Sequence, residues 1–345
     1  MLENINMMER FYRVFAASKI AWSEELQSWI VLDPKYVSDI LRSPNFEVVE
    51  HQKRLSEFGA ARNLDLASLN AVLSHVPLSH NGPEHRKLRR SMAEQIQKNL
   101  GAALSKYSDS VREKLTCIFS LKKTVELNEE LFLPCTAKLF SELGELDAEL
   151  LAQNFCTEAS ATQVFGLREP ISDKRLKMMN EHVLNLSGQK TSLSESDLTP
   201  LATAIVGAET FHGSIIRSFI SEMAKNRNTL LSAIHFSERL PSSDLPFIVR
   251  VAINDCMIHD MKIEKGLQYT LYLGSLEAGR LDLFFAAGKH ACLGKTVTEM
   301  AWNVLTKELN QHDRIVDILE IEYRDPDYVF TLPKKIVAQV RNEEN

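Results

Sequence analysis

The sequence has few of the residues that break helices or cross-link chains. Its 345 residues include only 13 glycines and 11 prolines, and its five cysteines (117, 135, 156, 256 and 292) are scattered without a CxxC pair. This cysteine pattern argues against a disulfide framework and a zinc cluster, and it favours a reducing cytosol. The scarcity of glycine and proline, with no repeat or low-complexity tract, favours a mainly α-helical chain that we interpret as one domain over residues 1–345.

Strong net charge and long apolar runs are also lacking. The 40 basic and 46 acidic residues give a net charge of −6, which provides no general attraction to nucleic acid or to an anionic membrane. Residues 1–22 carry charges throughout, without the apolar core of a signal peptide, and no stretch approaches the roughly 20 apolar residues of a membrane helix. We therefore predict a cytoplasmic protein that binds neither nucleic acid nor membrane.

The local pattern is mostly helical, with two regions of strand character. Residues 28–33 (SWIVLD) read as a strand followed by a short helix over 36–41, and residues 84–150 read as helical. Residues 247–274 alternate in polarity and are rich in β-branched residues, which predicts a small sheet. The turns in this sheet are expected at Asn254-Asp255, His259-Asp260 and Lys265-Gly266.

The clearest single helix is predicted from Thr199 to Lys225. Thr199 is a suitable N-cap and Pro200 a suitable first helical residue. Gly207 and Gly213 inside this helix each cost about 1 kcal/mol relative to alanine. We therefore expect a neighbouring group to need the space that they leave.

The segment most informative about chemistry is FAAGKHACLG, residues 285–294, which precedes a helical run. A cysteine just ahead of a helix N-terminus lies where backbone N–H groups favour the thiolate, so Cys292 is a candidate metal ligand or nucleophile. The alternative for a lone cysteine is a buried structural role. That interpretation is assigned to the other four cysteines.

This segment resembles the haem-binding loop of cytochrome P450s, whose pattern is FxxGxHxCxG. Phe285, Gly288, His290, Cys292 and Gly294 occupy its fixed positions. The resemblance implies that Cys292 is the axial thiolate of haem b (iron protoporphyrin IX). It also implies that His290 donates to a haem propionate and that Phe285 packs near the sulfur.

Two further stretches resemble propionate-binding elements of the same family, in the same order. HNGPEHRKLRR (80–90) is similar to DPPEHTRLRR, and its His85 and Arg89 lie on one helix face at i, i+4 spacing. FIVRVA (247–252) places Arg250 where the family has a propionate-binding arginine. The alternative for residues 80–90 is a solvated basic helix.

The stretch IVGAETF (205–211) resembles the family's AGxET element, in which a glycine kinks the helix beside the haem. The resemblance implies that Gly207 is the opened position and that Glu209 and Thr210 supply protons during dioxygen activation. The alternative is that Thr210 bonds back to its own helix and Glu209 is an ordinary surface charge.

The chain departs from the family at the proximal side of the haem. The ExxR element aligns with FSER, so Phe236 replaces the glutamate and only Arg239 remains. The meander between the small sheet and the Cys292 loop is mostly missing. Another contact is therefore expected to replace this lock, or the chemistry is altered.

Together these features identify the chain as similar to a divergent, shortened cytochrome P450. The resemblance implies the mainly α P450 fold with a small β region, and haem between the long helix and the Cys292 loop. It implies a monooxygenase that oxidises a small-molecule substrate, in specialised metabolism, with electrons from a ferredoxin or flavodoxin type donor. Two alternatives remain open: a haem-thiolate enzyme of peroxide-driven, isomerase or lyase type, and a non-catalytic haem-binding or accessory relative.

Overall fold

The computed structural model describes residues 20–342, apart from residues 25, 122, 155–160, 167–171, 190–192, 242–246, 274–282 and 324–331. Most of this part of the chain is helical, as the sparse glycine and proline predict. Its α-helices are α1 (Pro34–Arg42), α2 (His51–Arg62), α3 (Ala67–Leu73), α4 (Gly82–Leu121), α5 (Leu133–Gly144), α6 (Ala148–Asn154), α7 (Asp173–Leu186), α8 (Glu195–Lys225) and α9 (Lys295–Leu309). None of the helices in these ranges combines the length and the apolar character needed to span a membrane.

The strands form three small sheets. The strands predicted over residues 247–274 are present, but they are divided between two of these sheets. The first sheet has the order β1-β2-β8-β5-β3, in which β2 and β8 are parallel and the other pairs antiparallel. The second has the order β4-β10-β9, and β6 pairs with β7. Turns fall where the sequence places them, between β5, β6, β7 and β8. The strands are β1 (Ile20–Ser23), β2 (Ser28–Val31), β3 (Phe46–Glu47), β4 (Thr124–Glu126), β5 (Phe247–Ala252), β6 (Cys256–Ile258), β7 (Met261–Ile263), β8 (Gln268–Tyr272), β9 (Ile315–Tyr323) and β10 (Pro333–Arg341).

The prediction of continuous helix over residues 84–150 is wrong in its middle. The 40-residue helix α4 ends at Leu121, and β4 then pairs with the C-terminal strand β10. A short π-helical turn over Asn128–Phe132 leads into α5. The partner of β4 lies about 200 residues further along the chain, and such a non-local pairing leaves little trace in a local pattern.

Helix α8 begins earlier than predicted and ends at Lys225 as predicted. Its N-cap is Ser194, and the carboxylate of Asp197 accepts a hydrogen bond from the Ser194 backbone N–H at 2.9 Å, as in a capping box. Pro200 therefore lies inside the first two turns, and Thr199 is not the cap. The helix has 31 residues, which gives a length of about 47 Å.

A buried polar chain fixes α8 against its neighbours. His212 is fully buried, and its Nδ1 lies 3.0 Å from the Thr136 hydroxyl on α5. The His212 Nε2 lies 2.8 Å from the side-chain oxygen of Asn128, whose amide donates to the Lys334 carbonyl on β10 at 2.9 Å. Because this amide orientation leaves the Asn128 oxygen as an acceptor, Nε2 of His212 is the donor. The centre of α8 is thus tied to α5 and to the C-terminal sheet.

Candidate cofactor site

The loop of residues 285–294 folds tightly in front of α9. The Cys292 backbone N–H donates to the Phe285 carbonyl at 2.8 Å, which closes the loop around a single 3₁₀ turn, Gly288–His290. Gly288 has φ of +72°, and a Cβ at this position would lie 2.3 Å from the Leu41 carbonyl oxygen at the end of α1. Only glycine fits this close approach.

Cys292 is surrounded by protein on most sides, but its side chain is exposed, and it lines the central cavity. Burial raises the pKa of the Cys292 thiol, while the backbone N–H groups of Gly294 and Lys295 and the Arg89 guanidinium lower it. Burial has the larger effect, so the start of α9 does not by itself produce the predicted thiolate. A cation bound at the sulfur would shift this balance toward the thiolate.

The cavity brings together residues from segments 80–90, 205–211, 247–252 and 285–294. Its walls are mostly apolar, and α8 lies on one side with the Cys292 loop on another. All the predicted site residues except Glu209 and Gly288 line the cavity. Several apolar lining residues were not predicted from the sequence. The lining residues include His85, Arg89, Gly207, Thr210, Arg250, Phe285, His290 and Cys292, together with Val76, Pro77, Leu78, Met92, Ile96, Phe140, Leu143, Phe211, Ile248 and Val297.

Two histidines from distant segments meet at one edge of the cavity. The rings of His85 and His290 lie with their centroids 4.0 Å apart, and both residues are buried. The Nε2 of His85 and both ring nitrogens of His290 have no hydrogen-bond partner among the described residues. Burial, then the nearby arginines, lower the pKa of His85 to about 4, and burial, then His85 and Arg250, lower that of His290 to about 3. Both imidazoles are therefore neutral at pH 7 and have donor capacity to spare.

Two arginines share this edge. Arg250 is 5% exposed, and its only described hydrogen bond goes to the neighbouring Val249 carbonyl at 2.9 Å. Burial lowers the pKa of Arg250 to about 10, and burial also lowers that of Arg89. Neither guanidinium has a carboxylate partner in the described part of the chain, and a buried charge without a counter-ion is costly.

These residues fit haem. An apolar slot suits a porphyrin ring, two cations with two imidazole donors suit its two carboxylates, and the Cys292 sulfur is a suitable ligand for its iron. The buried unpaired nitrogens of His85 and His290 are the observation that favours this fit, because native proteins seldom leave such atoms unsatisfied.

On α8, Gly207 and Thr210 face the cavity together, as their spacing predicts. The helix runs from Glu195 to Lys225 without interruption, so it is not opened at Gly207 as the resemblance implied. A Cβ on Gly207 would lie 2.7 Å from the Phe140 ring, and this ring is the neighbour that needs the space. The Thr210 hydroxyl donates to its own helix, at 2.9 Å from the Val206 carbonyl and 3.0 Å from that of Gly207.

Glu209 faces a different side of α8 from Thr210. It is 4% exposed, so it is not a surface charge, and it lines a small separate cavity with Asn154 and His182. The acid–alcohol pair inferred from IVGAETF is thus adjacent in sequence and divided between two faces of the helix.

The segment FSER (236–239), which aligns with the ExxR element, is not helical, and Arg239 is exposed. The structure corrects the prediction for some of the other cysteines. Of the cysteines given a buried structural role, Cys135 is buried, Cys256 is half-buried and Cys117 is exposed, and no disulfide links the four described cysteines. Cys156, and residues 274–282 of the shortened meander, lie outside the described residues.

Some lining residues that were missed do have a pattern in the sequence. Met92 and Ile96 continue the face of α4 that carries His85 and Arg89, at i+7 and i+11 from His85. Phe140 has no such indication, because its place in the cavity depends on how α5 crosses α8.

No family model matches the sequence, and no curated protein matches it. Solved structures match over nearly the whole chain. P450BioI in complex with a hexadec-9Z-enoic acid ligated acyl carrier protein is 18% identical with a TM-score of 0.75, covering 96% of this chain and 97% of that one. A thermophilic cytochrome P450 from Sulfolobus tokodaii is 16% identical with a TM-score of 0.67, covering 97% and 100%. The epothilone D-bound P450epoK is 14% identical with a TM-score of 0.69, covering 96% and 95%. The mainly α chain with its small sheets has the cytochrome P450 fold.

Proposed function

We propose that this chain is a haem-thiolate oxidoreductase, and specifically a monooxygenase of small organic substrates. The observation that carries the proposal is that Cys292, Gly207 and Thr210 line one cavity together with His85, Arg89, Arg250 and His290. When bound, haem b would supply the iron chemistry that activates dioxygen, and the Cys292 sulfur would hold the iron.

The four edge residues would hold the two propionates. Arg89 and Arg250 would supply positive charge, and the buried ring nitrogens of His85 and His290 that lack protein partners would supply N–H donors. The apolar residues of α4, α5 and α8 exclude water from the rest of the cavity and orient an apolar substrate. The fatty-acid and epothilone complexes of proteins with the same fold are in keeping with a substrate of this chemistry.

Thr210 is the cavity residue suited to holding a proton near the reacting atoms. Thr210 lines the cavity, and its hydroxyl is held by hydrogen bonds to the Val206 and Gly207 carbonyls. In this proposal the electrons come from a separate ferredoxin or flavodoxin type donor. We place the protein in the cytoplasm and in specialised metabolism.

A second candidate is a haem-thiolate enzyme without external electrons, of peroxide-driven, isomerase or lyase type. It is favoured by the position of Glu209 on another face of α8, away from Thr210. A non-catalytic, accessory haem protein is the third candidate, and it has no specific support in the cavity.

The first test is the carbon monoxide difference spectrum of the reduced protein. We expect the wild type to show the Soret band of a thiolate-ligated haem and Cys292→Ala to lose it. Cys256→Ala is the matched control, because Cys256 lies on β6, outside the cavity lining, and we expect this variant to keep the band. A wild type without the band, or a Cys292→Ala variant that retains it, would refute the proposal.

A further inference from the structure

An irregular segment lies along α9, the helix that follows the Cys292 loop. We call residues 230–240 the strap; apart from one 3₁₀ turn, Leu231–Ala233, it has no helix or strand. Its start is fixed beyond the far end of α9, where the Leu231 N–H donates to the Arg314 carbonyl at 2.8 Å. The Asn310 amide donates to the carbonyls of Leu231 and Ile234 at 2.7 and 2.9 Å.

The middle of the strap is held by Trp302. This side chain is fully buried, and its indole N–H donates to the Ser237 carbonyl at 2.8 Å. The Phe236 ring meets the Trp302 ring edge to face, with centroids 6.3 Å apart. Strap carbonyls that no regular structure pairs are thus satisfied by side chains from α9 and its C-terminal end.

The end of the strap reaches the beginning of α9. Glu238, Arg239 and Leu240 line a polar groove together with Lys295, Glu299 and Phe285. Phe285 also lines the central cavity, and the Lys295 ammonium lies 5.8 Å from the centroid of its ring. The strap therefore runs antiparallel to α9, from residue 310 back to residue 295, and ends at the loop that carries Cys292.

We infer that the strap is the element that positions α9 and the Cys292 loop, with Trp302 as its central positioning residue. The argument is geometric: α9 begins three residues after Cys292, and Trp302 and Asn310 join it to the strap over its length. Loss of the indole donor would leave the Ser237 carbonyl unpaired, detach the strap at its middle and let the Cys292 loop open. That the positioned Cys292 is a ligand of haem iron rests on the proposed function.

The test measures the local opening of the loop in the haem-free protein by amide hydrogen exchange. The Cys292 N–H donates to the Phe285 carbonyl at 2.8 Å and closes the loop, so its exchange with deuterium requires the loop to open. The N–H of Ile216, which is fully buried in α8, reports global unfolding. We expect Trp302→Phe to raise the exchange rate of the Cys292 N–H about fivefold, the factor that one lost hydrogen bond gives, without changing that of the Ile216 N–H. Asn310→Asp, which removes the other donor, should act in the same direction.

Thr306→Val is the matched control. Thr306 is buried on the same helix, and its hydroxyl donates only to the carbonyls of Trp302 and Asn303 within α9. We expect this variant to leave the ratio of the two rates unchanged. Equal ratios in Trp302→Phe and Thr306→Val, or a parallel rise of Ile216 exchange in Trp302→Phe, would overturn the inference.

A spectroscopic arm separates this inference from the proposed function. In haem-loaded protein, Trp302→Phe should lower the thiolate-type fraction of the reduced carbon monoxide complex, and Thr306→Val should not. If the wild type has no thiolate-type band, the proposed function fails, while the hydrogen-exchange result still decides the role of the strap.

Discussion

Gly288 is the residue of the Cys292 loop with the least freedom to change. Its φ of +72° and the Leu41 carbonyl, 2.3 Å from any Cβ, oppose every side chain. We expect Gly288→Ala to lower the free energy of unfolding by about 2–4 kcal/mol, the sum of the left-handed backbone cost and overpacking. Urea denaturation measures this change. Gly101→Ala on the open face of α4 is the control and should be neutral or stabilising, and similar losses in both variants would contradict the close approach.

The assignment of Arg89 and Arg250 to the haem propionates can be tested by removing their charges. Each charge-assisted hydrogen bond to a buried carboxylate is worth roughly 1.5–3 kcal/mol. We therefore expect the double variant Arg89→Gln, Arg250→Gln to purify with a lower haem-to-protein ratio than the wild type. Arg90→Gln, next to Arg89 but exposed and outside the cavity lining, should purify with normal haem content. Unchanged haem content in the double variant would count against the propionate assignment.

Thr210 distinguishes the monooxygenase from the enzyme without external electrons. If Thr210 supplies protons, Thr210→Ala should keep consuming NADPH through the partner system while releasing hydrogen peroxide instead of oxidised product. The measurement is product formed per NADPH consumed. Thr116→Ala, whose hydroxyl bonds back to its own helix in the same way on the surface of α4, should behave as wild type. Equal ratios in Thr210→Ala and wild type would exclude the monooxygenase interpretation.

At the scale of elements, two competing start signals precede the central helix. Thr199-Pro200 matches the pattern of a helix start, but Ser194 and Asp197 form a capping box one turn earlier. We expect Ser194→Ala to destabilise the protein by about 1 kcal/mol in thermal or urea unfolding. Thr199→Ala removes only a side chain within the helix and should have a much smaller effect. The reverse order would place the functional start of α8 at Thr199.

Some elements of the structure could be predicted from the sequence and others could not. Helices with periodic apolar faces, the small sheet with its turns, and the convergence of His85, Arg250, His290 and Cys292 follow from local patterns and from motifs that keep their order. The pairing of β4 with β10 and the insertion of Phe140 beside Gly207 depend on contacts between distant segments. No local pattern predicts the strap, because its carbonyls are paired by Trp302 and Asn310 rather than by its own residues.

At the scale of the whole molecule, an ion pair joins the two helices that flank the cofactor site. Arg112 on α4 donates to both carboxylate oxygens of Glu308 on α9, at 2.8 and 3.3 Å, and Glu308 is almost fully buried. These hydrogen bonds raise the pKa of Arg112. We expect Arg112→Met to lower the melting temperature, because it leaves the Glu308 carboxylate buried without its partner.

Replacing both members of the pair is the informative control. Arg112→Met, Glu308→Leu removes the buried charge together with its partner, so we expect it to recover much of the lost stability. A double variant as unstable as Arg112→Met alone would show that packing, rather than the uncompensated carboxylate, sets the cost.

The order of the cavity elements along the chain has a consequence for biosynthesis. When α9 is still inside the ribosome, α4, α8 and β5 have already emerged and can present His85, Arg89, Thr210 and Arg250. The sulfur and the second histidine are synthesised only afterwards, and β10, which pairs with β4, follows them. A nascent chain therefore exposes part of the apolar cavity wall before it has the residues needed to hold a cofactor there. Premature termination just before residue 292 would yield a species with most of the cavity wall and no axial ligand, suited to chaperone capture rather than to function.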